Sequence, residues 1–430
     1  MSKRGFSRLL LISYSFPPIN HAGAYRLLSF ARHFNQSGID VSVVTPSIGK
    51  KMAVDDQLLD MLSDQVKVYH TKAYKLPFIE NEWLAKNIVG KVWNRLINIA
   101  NKFLVPVDSC FFWIFSAFFQ AKKLINTDGV DTVLVSSPPH SSQLIGLLLK
   151  KVFNVRLVVD FRDGWKHNIF NRVANVPLSR FQHWAETSVL KSADLIIANT
   201  PTNKVLLEQD YPFVSGKVHV ITNGYFKDEG NNADEYYENV SFNNEKFILA
   251  YTGEFYEGYS KTILNALSKL KKRRPDLSQK FIFEIVGLMY DEDHELVRSL
   301  DIEDVVNYRG FVPYKQATSL AKNADVLLIT YLDNPNVNNV VPSKLYFYMG
   351  LRKLILAIAP SGDSADIIKE VNAGCVIPPS DVDAVSQQIE QWIYSDEKPK
   401  ANYNEEIREH YSREYLAKKL HALIEEIANR

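Results

Sequence analysis

The stretch Val337–Pro360, VNNVVPSKLYFYMGLRKLILAIAP, decides the fold. Pro342 pre-sets the backbone for helix entry, Ser343 offers an oxygen to an orphan N–H at that entry, and Gly350 closes the helix. The spacing predicts a helix of about two turns. The run Leu354–Ile358 that follows is short, apolar and bounded by "APSGD", and the preceding "ADVLLITYL" (Ala324–Leu332) has the same character. Both read as buried strands, so the unit is strand, loop, short helix, strand. A helix N-terminus exposes N–H groups and partial positive charge, and Lys344 beside it makes that end attractive to a phosphate. Alone, a lysine near a helix start is more often a solvated surface residue, so its surroundings must decide.

Working outward, apolar runs recur with helical segments between them. In the first half they are 8–16, 40–46, 131–137, 155–161, 193–200 and 217–224; in the second, 247–253, 281–287, 305–311, 324–332, "KLILAIAP" and 374–379. Continuously apolar strands alternating with helices imply parallel sheets covered on both faces. The polar, acidic stretch 227–245 between the two series reads as a linker. The expectation is therefore α/β, with two Rossmann-like domains facing across a cleft: residues 1–226, then 246–400, then a C-terminal helix in 401–430 packing back on the first domain. Ligands of such sheets bind beyond the C-terminal strand ends.

Composition narrows the function. The 50 Lys+Arg against 49 Asp+Glu leave a net charge of +1, which gives no global field for nucleic acid. Cys110 and Cys375 lie far apart without metal-ligand spacing, which argues against a disulfide framework or structural zinc. The N-terminus reads as a first strand rather than a signal peptide, and no apolar run approaches a membrane span. No two glycines are separated by a single residue, which rules out the dinucleotide fingerprint, and the P-loop, zincin and nucleophile-elbow motifs are missing too. Asp-x-Asp occurs at 291–293 and 381–383, each before an amphipathic run, where acidic residues complement a helix start.

The loop after the first strand, "SYSFPPINHAGAYRLLSFARHFNQSGIDVSVVTP", places Gly23 at a helix opening where a ligand can approach the backbone. With Phe16, Pro17, Pro18, Arg26, Gly38, Val41, Val43 and Thr45, it resembles the GT-B glycosyltransferases of family 4. "SSPPHSS" (136–142), "VDFRDGW" (159–165), "ADLIIANT" and "VITNGYF" (220–226) are similar to landmarks of a branch in bacterial surface polysaccharide assembly (lipopolysaccharide, exopolysaccharide). "YTGEFY" (251–256), "RGFVPY" (309–314) and "VVPSKLYFYMG" follow in order, so the resemblance covers essentially the whole chain.

The resemblance implies a C-terminal domain holding a UDP- or GDP-sugar and an N-terminal domain holding a glycan or lipid-linked acceptor. It also implies retention of configuration, and neither metal nor cofactor. Charge developing on the leaving diphosphate calls for preorganised donors. The donor-site candidates are Gly23, Gly253, Lys261, Pro342, Ser343, Lys344, Leu345 and Phe347; the catalytic candidates are His140, Asp160, Arg162 and Asp163, with an intra-loop salt bridge by Arg162 as the structural alternative. Two departures stand out. Phe347 occupies the place of a glutamate that binds ribose in the family, and Lys261 is the nearest cation to a position near Tyr259 where the family has arginine. They keep two further readings open: a sugar-nucleotide epimerase or hydrolase on the same scaffold, and a catalytically silent binding protein.

From Val66 to Ile125 basic residues outnumber acidic ones by six, and Leu84, Ile88, Val92, Leu96, Ile99 and Phe103 share one helical arc. This pattern suits either a helix on an anionic membrane or one packed on the domain with snorkelling lysines. "CFFWIFSAFF" (110–119) reads as core. A cytoplasmic protein, peripheral on the inner face of the cell membrane, is the expected setting.

Overall fold

In a computed structural model of the chain, residues 6–49, 54–73, 107–166, 176–227, 245–256, 258–334 and 337–430 are described. They divide into two units, one within Met1–Thr222 together with Leu416–Arg430, the other within Asn223–Tyr415.

In the first unit, β1 (Arg8–Ser13), α1 (Ala22–Gln36), β2 (Asp40–Pro46), β3 (Lys67–Thr71), α2 (Trp113–Asp128), β4 (Thr132–Ser137), α3 (Ser142–Phe153), β5 (Arg156–Phe161), α4 (Val176–Ser192), β6 (Leu195–Ala198), α5 (Pro201–Asp210) and β7 (Val218–Val220) follow in order. Their strands form a parallel sheet, β3-β2-β1-β4-β5-β6-β7. In the second unit the order is β8 (Phe247–Glu254), α6 (Lys261–Arg273), α7 (Leu277–Lys280), β9 (Phe281–Leu288), α8 (Asp291–Ser299), β10 (Val306–Gly310), α9 (Tyr314–Asn323), β11 (Val326–Thr330), α10 (Ser343–Gly350), β12 (Leu354–Ile358), α11 (Asp363–Glu370), β13 (Gly374–Ile377), α12 (Val382–Ile393) and α13 (Glu405–Glu409), and the sheet reads β10-β9-β8-β11-β12-β13. The last helix, α14 (Arg413–Ala428), lies mostly in the first unit.

The strands form where β-rich apolar runs can be buried on both faces, and β4 buries all six of its residues. Because side chains alternate along a strand, Leu10, Val133 and Val159 join one core with Trp113, Ala117, Ile145 and Val189 of α2, α3 and α4. Leu9, Val41 and Val158 join the other, with Leu27 and Phe34 of α1 and Leu420 and Ile424 of α14. The chain order reverses between β1 and β4 in one sheet and between β8 and β11 in the other, and loops at such switch points hold ligands in this class of fold.

Four local readings need correction. Strand β3 escaped the search for apolar runs because it is an edge strand, half-exposed along most of its length. At α10 the cap is Pro342, in extended conformation, and Ser343 makes no capping bond; the helix ends at Leu351, and the left-handed residue is Arg352 rather than Gly350. The C-terminal apolar periodicity is split by a break at 410–412, where the Tyr225 amide donates to the Tyr411 carbonyl and the Arg413 amide donates to the Tyr225 carbonyl. Finally, "CFFWIFSAFF" is only partly core. Trp113, Ile114 and Ala117 are buried, whereas Phe115 and Phe119 point outward.

The amphipathic stretch 83–103 and the linker interior, 228–244, lie outside the described residues. Among the described residues no helix is long and apolar enough to cross a membrane.

Candidate active site

In the second unit the geometry centres on Lys344. Helix α10 is fastened to the end of β8 by Tyr348, whose hydroxyl meets the Thr252 amide and the Thr252 Oγ1, each at 3.1 Å. This brings Lys344, at the second position of α10, over Tyr251, with Nζ 3.7 Å from the ring centroid. The ring is itself fixed, stacked on Phe255 at 3.9 Å and donating its hydroxyl proton to the Glu254 carbonyl. Lys344 forms no ion pair with any described carboxylate. Burial pulls its pKa down to about 7, with the Glu254 charge opposing that shift.

Gly253, the residue after the Tyr251-Thr252 pair, has φ +109°. A Cβ there would stand 3.2 Å from the Lys344 Nζ, so only glycine leaves the ammonium accessible and the backbone unstrained. Leu345 is buried, Pro342 and Phe347 are half-buried, and Ser343 is exposed at the helix mouth, with Phe347 one turn further in. Lys261 begins α6 with an exposed side chain. Tyr251 and Tyr348 were missed as site residues; both lie inside quoted landmarks, but nothing in their spacing shows that they seat the lysine. Both Asp-x-Asp pairs serve helix starts: Asp293 accepts from the Tyr290 amide, and Asp381 from the Ala384 amide at 2.9 Å.

In the first unit a second cluster gathers at the ends of β1, β4 and β5. Asp160 is fully buried in a two-pronged pair with Arg26 (3.1 and 2.7 Å) and accepts from Ser136 at 2.7 Å. Arg26 also donates to the Ile221 and Thr222 carbonyls. The pairing follows from strand alternation. Asp160 shares the face of Val158, which is the α1 side, so its partner comes from α1 and not from its own loop.

Arg162 accordingly forms no ion pair with a described carboxylate. It donates to the Ser137 and Pro138 carbonyls, and its Nη1 crosses Gly23 so closely that a Cβ there would lie 1.8 Å away. Asp163 is exposed. His140 is 1% exposed, is stacked on Trp165 at 5.1 Å, and has no hydrogen bond on either ring nitrogen. Burial first, then the Arg162 charge, lowers its pKa to about 3, which keeps the imidazole neutral. The structure thus brings Gly23 to Arg162, while Asp160 is withdrawn into a closed pair. Trp165, overlooked as a partner of His140, was visible only as part of "VDFRDGW".

Comparison with known proteins accords with this division. The profile described as Glycosyltransferase Family 4 matches residues 23–227, and that described as Glycosyl transferases group 1 matches 232–410. Mannosylfructose-phosphate synthase of Agrobacterium fabrum is 22% identical over 347 residues, 76% of this chain and 71% of its own. Sucrose-phosphate synthase from Thermosynechococcus elongatus has the same fold at a TM-score of 0.65 and 14% identity, covering 97% of this chain and 98% of its own. Anabaena HepE, solved with UDP and glucose, gives 0.62 at 14% identity over 97% and 98%. With a family 4 domain followed by a group 1 domain over most of its length, the chain belongs to the GT-B glycosyltransferases, family 4-like.

Proposed function

We propose that the second unit holds the diphosphate of a nucleoside diphosphate sugar at Lys344 and the mouth of α10. The first unit receives a glycan or lipid-linked acceptor, so that sugar is added to a growing cell-surface polysaccharide. The observation that carries this reading is a lysine held against an aromatic ring at a helix N-terminus, without a carboxylate partner among the described residues, beside a glycine that keeps its ammonium open. A preorganised cation there stabilises the charge that develops on the leaving diphosphate. HepE, solved with UDP and with UDP-glucose, makes a uridine donor the first to test.

The acceptor side is supported by Arg162, a buried guanidinium lying across the start of α1, where a helix N-terminus already favours negative charge. That combination suits an acceptor bearing phosphate. The neutral His140 suits a hydroxyl, which it can meet as donor or acceptor. We assign Asp160 to positioning, because Arg26 and Ser136 occupy its carboxylate. The helix-capping use of both Asp-x-Asp pairs supports transfer without a metal. Retention fits attack on the face that the diphosphate leaves, with a phosphate oxygen taking the acceptor proton.

The test is the pH dependence of UDP-glucose binding. A sugar diphosphate is fully ionised across neutral pH, so the titrating partner is Lys344. Its charged fraction is nearly complete at pH 6 and falls as pH rises through about 7. Affinity is expected to drop by up to about 25-fold between pH 6.5 and 8.5 if the bound lysine stays protonated. An affinity that is flat over this range and also unchanged by Lys344→Ala removes Lys344 as the diphosphate ligand.

A further inference from the structure

The layer of α2, α3 and α4 covers one face of the first sheet, and its outer side has an unusual chemistry. On α2, Phe115 and Phe119 stand one turn apart, 56% and 65% exposed, and Lys122 and Lys123 follow one turn later. On α3, Leu148 and Val152 (41% and 60% exposed) repeat the spacing, with Lys151 between them. On α4, Trp184 is 54% exposed, with Arg180 one turn before it and Lys191 two turns after.

Exposed single apolar residues are ordinary, but aligned pairs on neighbouring helices are not. The charge is equally one-sided. The acidic residues of these three helices are Asp128, at the very end of α2, and Glu186, which is buried. Lys150 is paired with Asp194 and Lys191 lies over the Phe213 ring at 5.4 Å, while Lys122, Lys123, Lys151 and Arg180 form no ion pair with a described carboxylate. A chain of net charge +1 has thus set unpaired cations among outward aromatic and aliphatic side chains on one layer.

We infer that the outer face of α2, α3 and α4 docks on a membrane surface rich in anionic lipid. Phe115, Phe119 and Trp184 enter the headgroup boundary, where aromatic side chains favour residence, and the lysines meet lipid phosphates with their stems lying along the apolar surface. Charge complementarity selects this occupant, because the described residues of the three helices offer cations and apolar groups together, and the one carboxylate among them that reaches solvent is Asp128, at the end of α2. The inference stands on α2, α3 and α4 alone and does not depend on the donor site.

The test is co-sedimentation of the full chain with phosphatidylcholine vesicles, with and without phosphatidylglycerol. Phe115→Ser/Phe119→Ser and Lys122→Glu/Lys123→Glu double variants are compared with the parent, after circular dichroism confirms a parental spectrum and melting midpoint. Leu148→Ser/Val152→Ser repeats the test on the second helix. The parent is expected to bind the anionic vesicles, to release them as salt is raised, and to lose binding about tenfold or more in each double variant. The inference is overturned if the parent ignores anionic vesicles, if it binds phosphatidylcholine alone equally well, or if the folded variants bind as the parent does. Capture by polyglutamate, lost in Lys122→Glu/Lys123→Glu but without vesicle binding, would make this a protein-docking face and overturn the lipid assignment.

Discussion

Replacing Lys344 by alanine is expected to weaken binding of a nucleoside diphosphate sugar ten- to a hundredfold, about 1.5 to 3 kcal/mol, the magnitude of one charge-assisted hydrogen bond. Among the described residues the ammonium is the one cation over Tyr251, and Tyr348 anchors its helix to the strand end that carries Gly253. Alanine removes the charge but not the helix, whose N-terminal N–H groups continue to attract anions, so binding is weakened rather than abolished. Calorimetric titration of parent and variant reads the change directly. An affinity within twofold of the parent would mean that the diphosphate sits elsewhere.

The second large effect concerns stability. Asp160→Ala leaves the Arg26 guanidinium buried and uncompensated, which is expected to cost about 3 to 5 kcal/mol. The two side chains are each 1% exposed, so water cannot replace the lost partner. Against a typical domain stability of roughly 5 to 15 kcal/mol this is a large fraction, visible as an early loss of the first unit's structure in urea. The control is Asp64→Ala in the same unit: Asp64 is exposed, and its removal should stay within about 0.5 kcal/mol. Equal effects at the two positions would contradict the assignment of Asp160 to the closed pair.

Much of the fold was legible because burial on both faces leaves a strong trace: Leu354–Ile358 and the β4 and β5 runs read as strands and are strands. Edge strand β3 left no such trace, since one side meets solvent and its residues need not be apolar. The candidate site was legible as loops but not as partnerships. Lys344 and Gly253 could be named from position, yet the ring beneath the ammonium could not, because ring and lysine meet only through the register of a strand and a helix 93 residues apart in sequence. In the same way Asp160 was grouped with its sequence neighbour Arg162, whereas its pair, Arg26, comes from 134 positions away. Sequence proximity misled because Arg162 lies past the end of β5, where the chain has left the strand and its side chain turns to the Ser137 and Pro138 carbonyls, whereas Asp160 is still in the strand and faces α1. Phe347 remains the plainest departure from the family pattern, and its half-buried place one turn inside α10 is where a ribose contact would be replaced by an apolar one.

The central claim is tested most directly by calorimetric titration of UDP-glucose and of GDP-mannose into the folded full chain at pH 8. The account predicts one-to-one binding of one of the two, accompanied by net uptake of protons from buffer as the lysine, largely neutral at that pH, is recharged by the diphosphate. Failure of both nucleotide sugars and their free diphosphates to bind would contradict it, and would make Phe347 the mark of a lost donor pocket in a protein that keeps the fold for binding.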